Sequence, residues 1–112
     1  MIITARRSGR WVIPKGRVEP DLSPRKSAAK EAWEEAGILG RVKKKRIGTY
    51  EYQKWGGTYH VEVFPMEIVE VKKKWPEMDS RRRKLVPPEK AIRKVKPRSL
   101  AKILKKYFRN RK

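Results

Sequence analysis

The sequence predicts a mixed α/β domain, and three observations lead to that class. Short segments rich in strand formers open the chain, one well-capped helix lies in its first half, and a hairpin and a basic amphipathic helix follow. The chain has 112 residues, 38% of them hydrophobic, so we expect a single domain over residues 1–112. Four Trp, four Tyr and two Phe favour a packed fold over a disordered chain.

Two short strands and a loop are expected before the first helix. Residues 2–5 and 11–13 are rich in strand formers. The turn between them carries three cations, Arg6, Arg7 and Arg10. Pro and Gly residues then interrupt regular structure over residues 14–20, which predicts a loop.

The central helix has signals at both ends. Ser23 is placed to cap its N-terminus, Pro24 to occupy its first turn, and Gly37 to end it after Ala36. At about 100° per residue, three acids fall within an arc of about 100°. They are Glu31, Glu34 and Glu35. Small residues and one aromatic fill the other side and are expected to pack on a sheet: Ala28, Ala29, Ala32, Trp33 and Ala36.

A hairpin follows the helix. Residues 47–55 and 58–64 are typical of strands, and Gly56-Gly57 between them is a favourable two-residue turn. In that register His60 faces Gln53, and Glu62 faces Glu51 on the same side. We expect the two glutamates to be bridged by a lysine rather than to bind a metal.

The last third of the chain is expected to end in helices. The pattern predicts a polar loop over residues 72–80, a short strand over 83–86, and a helix over 88–95. A basic amphipathic helix is predicted over residues 97–109. Its inward side chains are expected to be Leu100, Ile103, Leu104, Tyr107 and Phe108.

The three helix acids carry the most informative chemistry. Carboxylates this close repel one another and need a positive partner. The partner could be nearby cations, Arg25, Lys26 and Lys30, or a divalent metal ion. Oxygen ligands without Cys, and with one His in the chain, favour Mg²⁺, or Mn²⁺ as a substitute. From the residues alone, an exposed acidic face and a metal site both stay open.

Composition excludes several function classes. The absence of Cys excludes thiol catalysis, disulfides and zinc–thiolate sites, and the single His60 excludes multi-histidine metal sites. No apolar run approaches the roughly 20 residues of a membrane span, and the start is too short for a signal peptide. We therefore expect a cytoplasmic protein without membrane association. A net charge of +20 attracts anionic partners.

A longer pattern surrounds the acids. Residues 11–38, WVIPKGRVEPDLSPRKSAAKEAWEEAGI, resemble the Nudix box, G-x5-E-x7-R-E-U-x-E-E-x-G-U, where U is a bulky apolar residue. The matching positions are Gly16, Glu31, Glu34, Glu35, Gly37 and Ile38. Three positions depart from the pattern, with Leu22 in place of Glu, Lys30 in place of Arg, and Ala32 in place of a larger apolar residue. Lys30 keeps a charge but lacks the planar fork of arginine.

Several segments indicate which branch of the Nudix family the sequence resembles. The lead-in over residues 6–16, Glu19-Pro20, the hairpin and residues 81–91 are similar to the Nudix branch that cleaves diadenosine polyphosphates and diphosphoinositol polyphosphates. The resemblance implies an α/β/α sandwich with a mixed sheet. It also implies a further strand ahead of Ile2, and we expect that strand to be absent here. Because a missing strand exposes a sheet edge, we expect a homodimer paired through that edge.

The resemblance also implies an activity. It is the metal-dependent hydrolysis of a phosphoanhydride bond in a nucleoside- or inositol-linked polyphosphate. Glu31 and Glu35 would hold Mg²⁺ or Mn²⁺, helped by a backbone carbonyl at Lys15 or Gly16, and Glu34 would be the general base. The anionic small-molecule substrate would be bound by Arg6, Arg7, Arg10, Lys15, Arg17 and His60.

Two alternatives involve RNA. One is a nucleic-acid-binding module without catalysis, which would use the positive charge and stack bases on aromatic side chains. Those aromatics are Tyr50, Tyr52, Trp55 and Tyr59. The other is a Nudix enzyme that trims the 5′ end of RNA.

Overall fold

A computed structural model of the chain describes residues 1–15 and 20–109. Along these residues, seven strands and three helices confirm the mixed α/β class. In chain order they are β1 (Ile2–Thr4), β2 (Trp11–Val12), α1 (Pro24–Ala36), β3 (Ile38–Val42), β4 (Gly48–Lys54), β5 (Gly57–Val63), β6 (Met66–Val71), β7 (Arg83–Lys84), α2 (Pro88–Lys94) and α3 (Arg98–Arg109). Gly16 and Arg17, both named from the sequence, lie outside the described residues.

Strand β1 lies between two layers of helices. Successive side chains of a strand point to opposite faces, so Ile2 and Ile3 enter different cores. Ile2 packs with residues of β4, β5 and the α2–α3 region, among them Tyr50, Val63 and Leu100. Ile3 packs with residues of β2, α1 and β3: Val12, Ala32, Ala36 and Ile38. The helices therefore flank the sheet layer on both sides, which confirms the α/β/α arrangement.

Strand pairing is local in one region and distant in others. Strands β2, β1 and β7 form an antiparallel sheet in that order, and β3–β6 and β4–β5 form antiparallel pairs. A parallel bridge between Trp11 and Val95 adds the second direction. Because β1 has a neighbour on each side, the open edge expected from the sequence does not lie along β1.

Helix α1 begins and ends where the sequence predicts. The Ser23 hydroxyl accepts a hydrogen bond from the Lys26 N–H at 3.2 Å, and Gly37 ends the helix with φ +66°. The buried positions are Ser27, Ala32, Glu35 and Ala36. Trp33, expected on the buried side, is only half-buried. The helix thus turns one carboxylate, Glu35, into the protein.

The hairpin register differs from the predicted one. The turn is Trp55-Gly56, with φ +52° and +73°, and Gly57 already pairs with Lys54. Positive φ at both turn residues is the type I′ geometry that matches the twist of the strands. As a result His60 faces Glu51 rather than Gln53, and Glu62 faces Thr49 rather than Glu51. The pairing moves by two residues, so every side chain keeps its predicted face.

Two strands have no counterpart among the sequence predictions, whereas the C-terminal elements do. In sequence β3 precedes the β4–β5 hairpin and β6 follows it, and the two strands pair with each other. Their pairing has an irregularity between Leu39 and Gly40. The strand β7 and the helices α2 and α3 lie within the predicted segments. On α3, Leu100 is buried and Phe108 is 37% exposed, so the apolar side chains are less buried toward the end of the helix.

Candidate active site

Glu35 lies at the base of the site. Its side chain is 4% exposed, and its Oε1 accepts a hydrogen bond from the Lys15 backbone N–H at 3.2 Å. The Arg81 guanidinium lies 3.5 Å from the same oxygen. The loop that precedes α1 and the segment that precedes β7 therefore meet at this carboxylate.

Glu31 lies one turn earlier on α1, close enough for a hydrogen bond between the two carboxyl groups to raise the pKa of Glu35. Burial and then this hydrogen bond raise the pKa of Glu35 to about 9, although Arg81 and the Lys15 N–H favour the ionised form. Two adjacent carboxyl groups in a buried place retain a proton because two negative charges there would be costly. A bound divalent cation would take the place of that proton, so this pair fits an oxygen-liganded metal.

Glu34 is separated from that pair. Its carboxylate contacts the Lys30 ammonium at 3.6 Å, in an i,i+4 pair on the more exposed side of α1. In residues 1–15 and 20–109, no three His, Asp or Glu side chains form a group able to hold a metal ion. The described structure thus joins two of the three predicted acids and leaves the third on an adjacent face.

A groove of about 580 Å³ opens beside Glu31, between the start of α1 and the hairpin. Its lining includes Lys15, Ser27, Glu31, Tyr52, Tyr59 and His60. The Tyr52 and Tyr59 rings stack with centroids 5.2 Å apart. The Lys15 Nζ lies 4.6 Å from the centroid of Tyr52. The groove therefore combines carboxylate, ammonium and aromatic surface.

Lys15 connects the carboxylates to the groove. Its backbone binds Glu35 while its side chain reaches over Tyr52. Burial lowers the pKa of Lys15, Glu35 opposes that change, and Lys54 and Arg81 add to it. An anionic substrate group would restore the lost solvation of this ammonium.

His60 lines the groove from β5. Its Nδ1 lies 3.1 Å from Oε1 of Glu51 on β4, and its side chain is 72% exposed. Glu62 instead contacts Arg46, at 2.6 Å. The two glutamates that the sequence placed opposite each other therefore have separate partners, and neither is bridged to the other by a lysine.

The three arginines of the β1–β2 turn have different surroundings. Arg7 lies over the Trp55 ring at the hairpin tip, 5.5 Å from its centroid, so it stands at the rim of the groove. Arg6 contacts Ser80 at 3.2 Å and Glu77 at 3.5 Å. Arg10 is exposed. Of the three, Arg7 is the one that lies beside the groove.

The segment after β6 holds the end of α1, a role that sequence analysis missed. The Trp75 indole N–H donates to the Glu35 carbonyl at 3.1 Å, and Arg83 donates to the Ala36 carbonyl at 2.8 Å. The Arg83 guanidinium also stacks on Trp75, 3.8 Å from its centroid. A tryptophan in an otherwise polar loop was the signal for this clamp. It fixes the turn of α1 that carries Glu35.

Tyr50 on β4 is a second residue that the predicted site did not include. It is 4% exposed, and its hydroxyl has no hydrogen-bond partner among the described residues. Burial, together with nearby Tyr52 and Glu35, raises its pKa above the usual range. A neutral hydroxyl therefore faces the same interior as Glu35.

Comparison with known proteins gives relatives that are named as hydrolases. The chain is 35% identical over 85 residues to Nudix hydrolase 17, mitochondrial, from Arabidopsis thaliana, covering 74% of this chain and 46% of the relative. It is 30% identical over 84 residues to diphosphoinositol polyphosphate phosphohydrolase 3-alpha from Mus musculus, covering 75% and 50%. The chain thus spans about half the length of these relatives.

The fold has solved counterparts. A crystal structure of C. elegans Ap4A hydrolase matches with a TM-score of 0.79 at 20% identity, covering 99% of this chain and 84% of that one. Within the described residues, no helix has the length and apolar character needed to cross a bilayer. The NUDIX domain family matches residues 2–110, nearly the whole chain. With the capped α1, its paired acids and the α/β/α layers, this match establishes that the chain belongs to the Nudix family.

Proposed function

We propose that this chain is a single-domain Nudix hydrolase that cleaves a phosphoanhydride bond with the help of a divalent metal ion. The observation that carries the proposal is the Glu31–Glu35 pair, in which the pKa of buried Glu35 is raised and Glu31 lines a groove of about 580 Å³. Packing of α1 does not explain why a buried carboxyl group, that of Glu35, lies beside a second one, that of Glu31. A metal site gives that costly arrangement a use.

Mg²⁺ suits this donor set, and Mn²⁺ shares its preference for carboxylate and carbonyl oxygens. Glu31 and Glu35 would hold the metal, with a carbonyl from Lys15 or Gly16 as a further ligand. When bound, such a cation neutralises phosphate oxygens and orients an attacking water. Lys30 stands where the family pattern has Arg, and its contact with Glu34 keeps a cation beside the acids.

The chain's own groups supply the remaining steps. Lys15, Arg7 and His60 would bind the phosphate oxygens, since all three stand in or at the rim of the groove. Glu34 would accept the proton of the water whose oxygen attacks phosphorus. The bridging P–O bond then breaks, and its electrons leave with the departing phosphate. Arg6, Arg10 and Arg17 remain candidates for the outer phosphates of a longer chain.

The proposed substrate is a nucleoside- or inositol-linked polyphosphate. The relatives include proteins named for diphosphoinositol polyphosphate and for Ap4A. The stacked Tyr52–Tyr59 pair favours the nucleoside class, because an aromatic ring can stack on a base. Processing of RNA 5′ ends stays the second candidate, favoured by the +20 charge.

Two further expectations concern the protein's surroundings. We propose a cytoplasmic location, supported by the lack of a long apolar run, although two relatives are named mitochondrial. A homodimer is proposed at an edge other than β1, since β1 is paired on both sides.

The test is a panel of phosphoanhydrides with Mg²⁺, with identification of the products. The panel holds diadenosine polyphosphates, a diphosphoinositol polyphosphate, nucleoside diphosphate derivatives and 5′-triphosphorylated RNA. We expect turnover of at least one small polyphosphate and a loss of more than about 100-fold in E35Q, because even a residue that only supports a ligand contributes 10–100-fold. E67Q, an equal charge change at an exposed β6 position, is the control. Wild-type turnover in E35Q would overturn the metal-site assignment.

A further inference from the structure

The outward face of α3 carries a row of cations that no carboxylate of the described residues pairs with. Residues 88–109 contain one acid, Glu89, and nine cations: Lys90, Arg93, Lys94, Lys96, Arg98, Lys102, Lys105, Lys106 and Arg109. At about 100° per residue, the five cations of α3 fall within an arc of about 100°. All five are exposed: Arg98, Lys102, Lys105, Lys106 and Arg109. We call these five residues the α3 stripe.

The other basic runs of the chain differ because carboxylates pair with part of each. Lys43 contacts Glu67 at 3.9 Å, and Lys72 contacts Glu70 at 2.8 Å. Arg81 contacts Glu77 at 2.8 Å. In the described part of the chain, no carboxylate pairs with any cation of the α3 stripe, although Arg98 donates to two carbonyls at the end of α2. Like charges on one helix face repel one another, so the fold does not explain why Lys102, Lys105 and Lys106 lie together there.

The geometry of α3 decides which polyanion fits. Arg109 is eleven positions after Arg98, so the stripe runs about 17 Å along the helix. A line of charge of that length matches one nucleic-acid backbone, to which lysines bind without reading sequence. A membrane surface would also attract it, but stable binding there needs an apolar face to insert. Leu100 and Ala101 of α3 are buried in the core, and Phe108, 37% exposed, is the one large apolar side chain that the described part of this helix exposes. A single partly exposed ring is a small apolar surface for insertion, so the stripe favours a nucleic acid.

The stripe is separate from the candidate active site. α3 packs on the start of β4, where Ile103 lies against Gly48. Trp55, at the tip of the hairpin, lies about 20 Å from that contact at the rise of a seven-residue strand. The groove extends from this tip along β5 to Glu62 and Phe64, and among the described residues none of its lining side chains belongs to α3. A polyanion can therefore occupy the stripe without entering the groove.

We propose that the α3 stripe docks RNA through its phosphate backbone. The stripe itself argues for a nucleic acid. The choice of RNA over DNA rests on the proposed function, because RNA chains begin with a triphosphate and so carry phosphoanhydride bonds. The stripe would raise the local concentration of such an end near the groove, whatever the sequence of the RNA.

The test uses a fluorescent 20-nucleotide RNA with a 5′-hydroxyl end, which has no phosphoanhydride bond and so cannot be hydrolysed by the proposed activity. The full chain, the stripe variant K102E/K105E/K106E and the control K44E/K45E/K73E are titrated by anisotropy at several salt concentrations. Both variants lower the net charge of +20 by six, and the control residues are exposed on other segments. Thermal unfolding checks that each variant folds.

We expect the stripe variant to bind at least tenfold more weakly than the wild type, and the control within about threefold. The slope of log K against log salt should fall by about 2 in the stripe variant, since each contact to a single strand contributes about 0.7. Equal losses in both variants, or no loss in either, would overturn the proposal. So would stripe-dependent binding to phosphatidylserine vesicles without RNA binding. Hydrolysis of small polyphosphates is measured separately, and E35Q should still bind this RNA, so a failure of the proposed activity is distinguishable.

Discussion

Glu35 is the residue at which stability and proposed function oppose each other. Its side chain is 4% exposed and hydrogen-bonded to a second carboxyl group, an arrangement that no packing requirement of α1 explains. The Arg81 guanidinium at 3.5 Å offsets part of the cost. In the metal-free protein the remaining cost is avoided by holding a proton on the pair.

The pH dependence of stability follows from that proton. Because burial raises the folded-state pKa of Glu35 from 4.5 to about 9, the folded protein holds a proton that the unfolded chain releases. This contribution to stability is complete below about pH 4.5 and is lost as the pH rises toward 9. We expect E35Q to match the wild type near pH 4.5 and to have the higher Tm at pH 8, measured in EDTA.

The same samples provide the control for that prediction. Added Mg²⁺ should raise the Tm of the wild type and leave that of E35Q unchanged, because ligands stabilise the state that binds them. E67Q, at an exposed site, should follow the wild type at every pH. Parallel pH profiles for the wild type and E35Q would show that Glu35 is ionised in the folded protein.

At the scale of elements, the end of α1 depends on the clamp from Trp75 and Arg83. Gly37 has φ +66°, and a Cβ there would lie 2.7 Å from the Arg83 guanidinium and 2.9 Å from the Trp75 side chain. We expect G37A to lower the free energy of unfolding by more than about 2 kcal/mol, from the left-handed conformation plus displacement of the clamp. Denaturant unfolding measures this loss.

Gly9 provides a matched control. Its φ is +71°, but a Cβ there would meet nothing within 4 Å. G9A therefore carries the conformational cost alone, about 1 kcal/mol. Equal losses in the two variants would mean that Trp75 and Arg83 contribute nothing to the end of α1.

The elements that sequence analysis predicted best are those with local signals. Ser23, Pro24 and Gly37 each affect only the adjacent turn of α1, so the bounds of the helix follow from the sequence. β3 and β6 depend on a pairing between distant segments, and neither carries a local turn signal. The hairpin turn was misplaced because a tryptophan occupies a left-handed position that usually favours glycine or asparagine.

In the candidate site, too, local contacts could be predicted from the sequence and long-range contacts could not. Glu31 and Glu35 share a turn of helix, so their proximity could be predicted from spacing. The contacts of Arg81 with Glu35 and of Trp75 with the Glu35 carbonyl join residues 40 or more positions apart. Such contacts depend on the tertiary fold, and single-sequence patterns carry no record of them.

At the scale of the whole molecule, charge governs encounters with substrate. The Cα radius of gyration of 13.4 Å is close to the roughly 13 Å expected for a compact chain of this length, and this compact fold carries a net charge of +20. Most Lys and Arg side chains in the described structure are exposed, so the electrostatic potential of the excess positive charge extends into the surrounding solvent. It should act on anions before they reach the groove.

Substrates with longer phosphate chains should therefore bind better and lose more affinity with added salt. The Debye length is about 10 Å at 0.1 M salt, so exposed arginines and lysines are screened there. The measurement is KM for substrates with two and with four or more phosphates, at low and high salt. A KM that does not change with salt would indicate selection by shape in a mostly apolar groove.

The position of β1 has a consequence for how the protein unfolds. Ile2 and Ile3 are adjacent in the chain yet fill two different cores, and both are almost fully buried. Pulling out this strand would open a cavity in each core at once, at a cost of several kcal/mol per isoleucine. Loss of β1 would therefore weaken both layers of helices together, not one alone. We expect these two consecutive side chains to couple the unfolding of the two layers, and to disfavour partial unfolding that begins at β1.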